Sequence, residues 1–195
     1  MADAARDIPR MSATEYLQME KQASCKHEFV NGIVYAMAGG SRQHNCIAGD
    51  VFGALLGKLT PPHRVFTSDM KVRIRTSPDE YYYYPDASVS CSDLDNDAYA
   101  IAQPSLIAEA LSPTTEDADR GYKFDDYRKL PSLQEYVLVA RESPSVEIYR
   151  RRTDWQVRLY DLAQDITFES VSITLPVAAF YRRVDADDHA REGNE

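Results

Sequence analysis

The sequence predicts an α/β (α+β) domain, a mixed central β-sheet flanked by helices, and three observations carry that prediction. Asn31-Gly32 stands between two short apolar runs, the signature of a two-residue hairpin. Ile47, Val51, Leu55 and Leu59 recur every four residues, the stripe of a helix with one buried face. Leu106-Ile107-Ala108-Glu109-Ala110-Leu111 is apolar at both parities, as a strand covered on both faces requires, and should lie centrally.

The elements follow in order. Ser12-Ala13-Thr14-Glu15 opens a short helix, with Ser12 as cap and Glu15 at capping-box spacing. An N-terminal hairpin spans His27 to Tyr35, and a helix runs from Ser41 to Leu59. Val65 to Arg75 alternates: Phe66, Met70, Val72 and Ile74 share one parity, while Asp69, Lys71 and Arg73 share the other. This predicts one half-buried strand. Thr76 to Glu80 is a turn, and Tyr81 to Cys91 is the return strand. If the turn pairs Thr76 with Tyr81, Lys71 faces Asp86 and Asp69 faces Ser88, so Asp86, Lys71 and Asp69 line one polar face. Pro113 ends the central strand. A helix over about 115–130 follows, capped by Thr114 or Thr115, with Glu116, Asp117 and Asp119 at its positive end. Glu135 to Ala140, Val146 to Arg150, Trp155 to Tyr160 and Ser170 to Leu175 read as closing strands.

Composition bounds the function. The 195 residues suit a single domain over about 12–184, with 1–11 and 185–195 as mobile tails. No apolar run reaches membrane-spanning length, and the N-terminus lacks an apolar signal region, so the expected setting is cytoplasmic without membrane contact. Three cysteines with no C-x-x-C argue against a disulfide framework or zinc knuckle; Cys46 and Cys91 read as small buried hydrophobes. The net charge of −9 argues against a constitutive nucleic-acid coat protein. It weighs less against an enzyme that holds a polyanion through a cation.

Two carboxylates stand out. Glu109 sits inside the doubly apolar strand, where an ionised carboxylate must be protonated, paired or metal-bound, unless the strand frays there. Asp86 follows Tyr84-Pro85, an ordinary place for an aspartate at the start of a strand, and the register above makes it more than that. Asp119, Lys123 and Tyr127 are spaced i, i+4, i+8 on one helix face, which equally describes a solvated face. His27, His63 and His189 form no ligand spacing, and His44 at a helix start suits capping or packing better than substrate contact. Arg150-Arg151-Arg152 reads as a solvated turn. Alternation would bury half of Tyr81 to Tyr84.

Several segments resemble the Uma-two family, a restriction-endonuclease-like group within the PD-(D/E)XK nuclease superfamily. They are Tyr84-Pro85-Asp86, then Glu109 to Thr115, then Asp119-Arg120-Gly121-Tyr122-Lys123-Phe124-Asp125-Asp126-Tyr127. His27 to Gly32, Ala36 to Ser41, His44-Asn45, Ser68 to Val72 and Leu130 to Tyr136 extend the likeness over 12–184. The resemblance implies a restriction-endonuclease-like core with an added N-terminal hairpin and C-terminal strands, hydrolysing DNA with Mg²⁺ or Mn²⁺. By that resemblance Asp86 and Glu109 hold the metal, Glu28 is a third acidic residue, and His44 and Tyr127 touch substrate. The superfamily lysine would stand at Leu111, so the resemblance moves it to Lys123 first and Lys71 second. The alternative is a catalytically inactive nuclease-fold module that binds DNA or protein. A homodimer would suit an enzyme that cuts both strands.

Overall fold

The computed structural model describes residues 10–95 and 97–184; residues 1–9 and 185–195 of the expected tails lie outside them. Residues 10 and 11 do not belong to a tail, because the Met11 N–H donates to the Gly32 carbonyl at 2.8 Å.

The chain runs α1 (Ala13–Glu20), β1 (His27–Val30), β2 (Ile33–Ala36), α2 (Arg42–Leu56), β3 (Arg64–Thr67), β4 (Lys71–Thr76), β5 (Asp79–Tyr83) and β6 (Ala87–Ser90). It continues β7 (Ala100–Ile101), β8 (Leu106–Ala110), α3 (Glu116–Arg120), α4 (Tyr122–Tyr127), β9 (Glu135–Val139), β10 (Ser145–Arg150), β11 (Val157–Asp161), β12 (Asp165–Phe168) and β13 (Ile173–Pro176). A six-stranded sheet has the order β11-β10-β9-β8-β6-β3, a five-stranded sheet the order β2-β1-β5-β4-β7, and β12-β13 form a ribbon. The β8–β9 and β4–β7 pairs are parallel and the others antiparallel, giving the expected mixed architecture.

Three hydrophobic clusters hold the layers. Ile47, Val51 and Leu55 of α2 lie on Ala87, Val89, Leu106 and Ala108 of the larger sheet. On its other face Ile107, Leu111 and Leu138 meet Tyr127 of α4 and Val72, Ile74, Tyr81 and Tyr83 of the smaller sheet. Tyr16 of α1 covers the outer face of that smaller sheet with Phe29, Tyr82 and Ala100. The α1 capping box forms as read, and Asn31 and Gly32 take the positive φ values, 46° and 98°, of a two-residue hairpin turn. Gly57 caps α2, so Leu59 packs from beyond the helix.

Four expectations are corrected. The strand predicted over Val65 to Arg75 is two strands in different sheets, because the Met70 N–H turns back to the Thr67 carbonyl. The return strand breaks at Tyr84-Pro85-Asp86, where proline offers no N–H to a ladder. The register is also different. Thr76 pairs with Asp79 around Ser77-Pro78, and Val72 pairs with Tyr83, so Lys71 does not face Asp86. The helix over 115–130 is two helices parted at Gly121, whose φ of −104° and ψ of −114° leave the helical region. There a Cβ would lie 2.7 Å from the Asp117 carbonyl oxygen.

Smaller differences follow from packing. All four of Tyr81 to Tyr84 are buried, because the second sheet closes over one face and α1 over the other. Cys91 is exposed and Cys46 only half-buried. β12 was not foreseen, although Asp165 to Phe168 alternates exposed and buried over its four residues. The basic triplet is structural: Arg150 is buried against Glu135 at 2.9 Å, Arg151 donates to the Leu133 carbonyl at 2.7 Å, and Arg152 pairs with Glu169. Among the described residues no helix is long and apolar enough to cross a membrane.

Candidate active site

Asp86 and Glu109 meet where the two sheets diverge. β6 pairs with β8 through Ala87 and Ala108, so one further step sets Asp86 opposite Glu109. Each carboxylate accepts a backbone N–H from the other strand: the Asp86 N–H donates to Glu109 Oε2 at 3.1 Å, and the Ala110 N–H to Asp86 Oδ2 at 2.8 Å. The proline break frees the Asp86 side of this exchange. Two reciprocal bonds fix both side chains without help from solvent.

Lys123 reaches the pair from α4. Its Nζ lies 3.1 Å from Glu109 Oε1, 3.1 Å from Asp119 Oδ1 and 3.4 Å from Glu28 Oε1. Asp119 and Lys123 keep their i, i+4 relation across the Gly121 break. Glu28 comes from β1 and also lies 3.5 Å from the Tyr84 N–H. Thus the structure brings Glu28, Asp86, Glu109 and Lys123 together. Asp119, which sequence reasoning set on the right face but did not assign to the site, joins them; its spacing from Lys123 was the available signal.

His44 stands at the start of α2, where Ser41 Oγ accepts its backbone N–H at 3.2 Å. Its Nε2 lies 3.2 Å from Asp86 Oδ2. Gly40 packs against the ring, since a Cβ there would lie 2.7 Å from Nδ1. Tyr127 donates its hydroxyl to Glu109 Oε1 at 3.2 Å and is 0% exposed. It therefore orients Glu109, and the expected contact with substrate is corrected.

Lys71 is elsewhere. Its Nζ donates to Tyr84 OH at 3.2 Å. Arg73 pairs with Tyr82, which pairs with Phe29. Lys71 shares the parity of Arg73 and so lies on the α1 face of the smaller sheet, while Glu28 points from the opposite face. Asp69 pairs with Lys26 at 2.5 Å. The polar face of Asp86, Lys71 and Asp69 therefore does not exist, because the register moved by two residues and the strands part company at Pro85.

Three carboxylates, from Glu28, Glu109 and Asp119, surround the Lys123 ammonium, and Asp86 faces His44. Burial pushes the Glu109 carboxyl up to about 8, against the pull of Lys123 and with the repulsion of Asp119 and Asp86. Burial works against the Lys123 charge, but Glu109 leads the surrounding groups that raise its pKa well above the ordinary lysine value. The hydrogen bond to Asp86 raises the His44 pKa.

A cleft of about 280 Å³ reaches this group on its Lys123 side, and neither Asp86 nor Glu109 lines it. Glu28, Asp119 and Lys123 lie along it, with Tyr35 and Tyr122 half-exposed among its walls. Among the described residues no three His, Cys, Asp or Glu side chains form a ready-made metal cage. The donors nonetheless fit a hard divalent cation that keeps water and substrate oxygens in its shell: all are carboxylates, and they outnumber the local cations.

The chain is 34% identical over 179 residues to the Synechocystis sp. protein "Uncharacterized protein slr1290", spanning 90% of this chain and 93% of the relative. It is 38% identical over 161 residues to "Uncharacterized protein sll1609" of the same organism, spanning 78% and 87%. The fold matches the crystal structure of "a putative nuclease belonging to DUF820" from Anabaena variabilis ATCC 29413, with a TM-score of 0.69. That match covers 88% of this chain and 98% of the other at 16% identity. With residues 13–178 matching the family described as "Uma2: Putative restriction endonuclease", the chain belongs to that family.

Proposed function

We propose that this protein is a divalent-cation-dependent endonuclease that hydrolyses DNA phosphodiester bonds in the cytoplasm, with Asp86 and Glu109 as its metal ligands. The observation that carries the reading is the crowding of carboxylates at the cross-braced pair, which leaves Glu109 holding a proton up to about 8 that a divalent cation would displace. A bound Mg²⁺ or Mn²⁺ would supply Lewis-acid polarisation of the phosphoryl oxygen and a more acidic water.

The protein's own residues do the rest. The Asp86 and Ala110 N–H groups hold the two carboxylates in place before substrate arrives. Tyr127 orients Glu109, and His44 orients Asp86. Lys123 is a buried ammonium in the wall of the cleft, suited to stabilise negative charge on a phosphate or to hold a water by hydrogen bonding. Glu28 and Asp119 keep that lysine charged and aimed inward.

The test is cleavage of supercoiled plasmid with Mg²⁺ or Mn²⁺, beside a single-stranded DNA and an RNA substrate. Asp86→Asn and Glu109→Gln should each lower cleavage by more than about 100-fold, as loss of a metal ligand does. Cleavage unchanged in both variants, or unchanged by chelator, would overturn the assignment. A second reading, a nuclease-fold module that binds without cutting, is favoured by one observation: Lys123 already neutralises part of the pair. It predicts no cleavage under any cation and no cation binding by calorimetry.

A further inference from the structure

The largest of the described cavities, about 520 Å³, lies on the α1 face of the smaller sheet, away from the carboxylate pair. Glu20, Lys21, Lys71, Tyr84, Asp97 and Tyr99 line it. Its volume falls in the range of small-molecule sites.

Lys71 is the unusual group here. It is 8% exposed, yet the one hydrogen-bond partner of its Nζ is the Tyr84 hydroxyl, and among the described residues no carboxylate lies within 4.0 Å of it. Glu20, one of the two carboxylates in the cavity wall, is already engaged. It accepts from Tyr84 OH at 2.8 Å and from the His27 N–H at 3.0 Å, and lies 3.0 Å from His27 Nδ1. Burial lowers the Lys71 pKa, against the weaker pull of Glu20 and Asp97. The other buried lysine, Lys123, has three carboxylates around it.

Lys21 adds a second cation to the cavity wall, and two aromatic faces stand beside the lysines. Lys71 Nζ lies 5.1 Å from the Tyr84 ring centroid, and Lys21 Nζ 5.7 Å from that of Tyr99, which is 62% exposed. Glu20 and Asp97 share the wall, the first held by Tyr84 and His27 and the second 4.0 Å from Arg73. The cations left for a ligand are therefore the two lysines, which suit a phosphate, beside an exposed tyrosine that suits a planar ring.

We propose that this cavity is a binding site for a small phosphate-bearing molecule of nucleoside-monophosphate size, independent of the active site. Its backbone link to that site is short. Tyr84 holds Lys71 through its hydroxyl, and the next two residues are Pro85 and Asp86.

Calorimetry on the full chain tests this with a nucleoside 5′-monophosphate, the nucleoside alone and inorganic phosphate. The monophosphate should bind at least tenfold more tightly than either part. Lys71→Met should weaken it more than tenfold, while Asp86→Asn leaves it within twofold. Thermal melting shows whether Lys71→Met folds. If it does not, Tyr99→Ser and Lys21→Ser, both at solvent-accessible positions, carry the same test, with at least a fivefold loss expected from each. No binding, binding indifferent to the folded cavity variants, binding lost with Asp86→Asn, or inorganic phosphate as tight as the monophosphate would each overturn the proposal.

Discussion

Replacing Lys123 by methionine keeps a linear side chain of similar size and removes only the ammonium. Three carboxylates then lose their shared partner, at 3.1, 3.1 and 3.4 Å, in a region where Glu109 and Asp119 are almost fully buried. Breaking a buried pair by deleting one partner costs about 3–5 kcal/mol. Below about pH 8 Glu109 already holds a proton, so less charge is left uncompensated there than at alkaline pH. The cost should therefore sit near about 3 kcal/mol at mildly acid pH and near about 5 kcal/mol at alkaline pH. At roughly 2–4 °C per kcal/mol for a domain of this size, the cation-free melting point should fall by about 6–12 °C and about 10–20 °C respectively. Thermal melts of wild type and Lys123→Met at both pH values measure this. Adding Glu109→Gln to the lysine variant should recover part of the loss. A fall of under about 2 °C, equal at both pH values, would refute the claim that Lys123 compensates buried charge.

Further expectations concern the same architecture. In the wild-type protein without cation, Glu109 has a folded pKa of about 8 against an ordinary 4.5, so the folded state keeps a proton that the unfolded state releases. Its contribution to stability is full below about pH 4.5 and is lost as pH rises through 8; Glu109→Gln should flatten that slope in melts across the window. Gly121→Ala sets a Cβ 2.7 Å from the Asp117 carbonyl oxygen and should cost about 1–3 kcal/mol while reducing cleavage, because the same kink aims Lys123. Ser12→Ala removes half of a capping box far from the carboxylates; it should cost about 1 kcal/mol in denaturant unfolding with cleavage unchanged.

Much of this was legible in the sequence where local chemistry decides the outcome. Ser12 and Glu15 could only cap, Asn31-Gly32 could only turn, and the α2 stripe could face only one way. Glu109 was legible for a different reason: a carboxylate in a doubly apolar strand needs a partner wherever the strand lies. Pairing between sheets was not legible. The alternation from Val65 to Arg75 continues through a turn that moves the chain from one sheet to another, and periodicity does not register that change. Register failed next, since a turn of two residues and one of four keep the same parity but move Lys71 from Asp86 to Tyr84. Gly121 stood in plain view, but α3 and α4 together keep the helical spacing that places Lys123, so the break left no trace in the pattern. Tyr127 misled because a residue type common at substrate surfaces is here wholly interior.

The central claim is that Asp86 and Glu109 hold a divalent cation, and anomalous diffraction from crystals soaked in Mn²⁺ tests it most directly. The account predicts a manganese peak within coordinating distance of one oxygen from each carboxylate, with Lys123 Nζ outside the metal shell. A manganese-saturated crystal with no peak between them, or a peak on other residues alone, would contradict it.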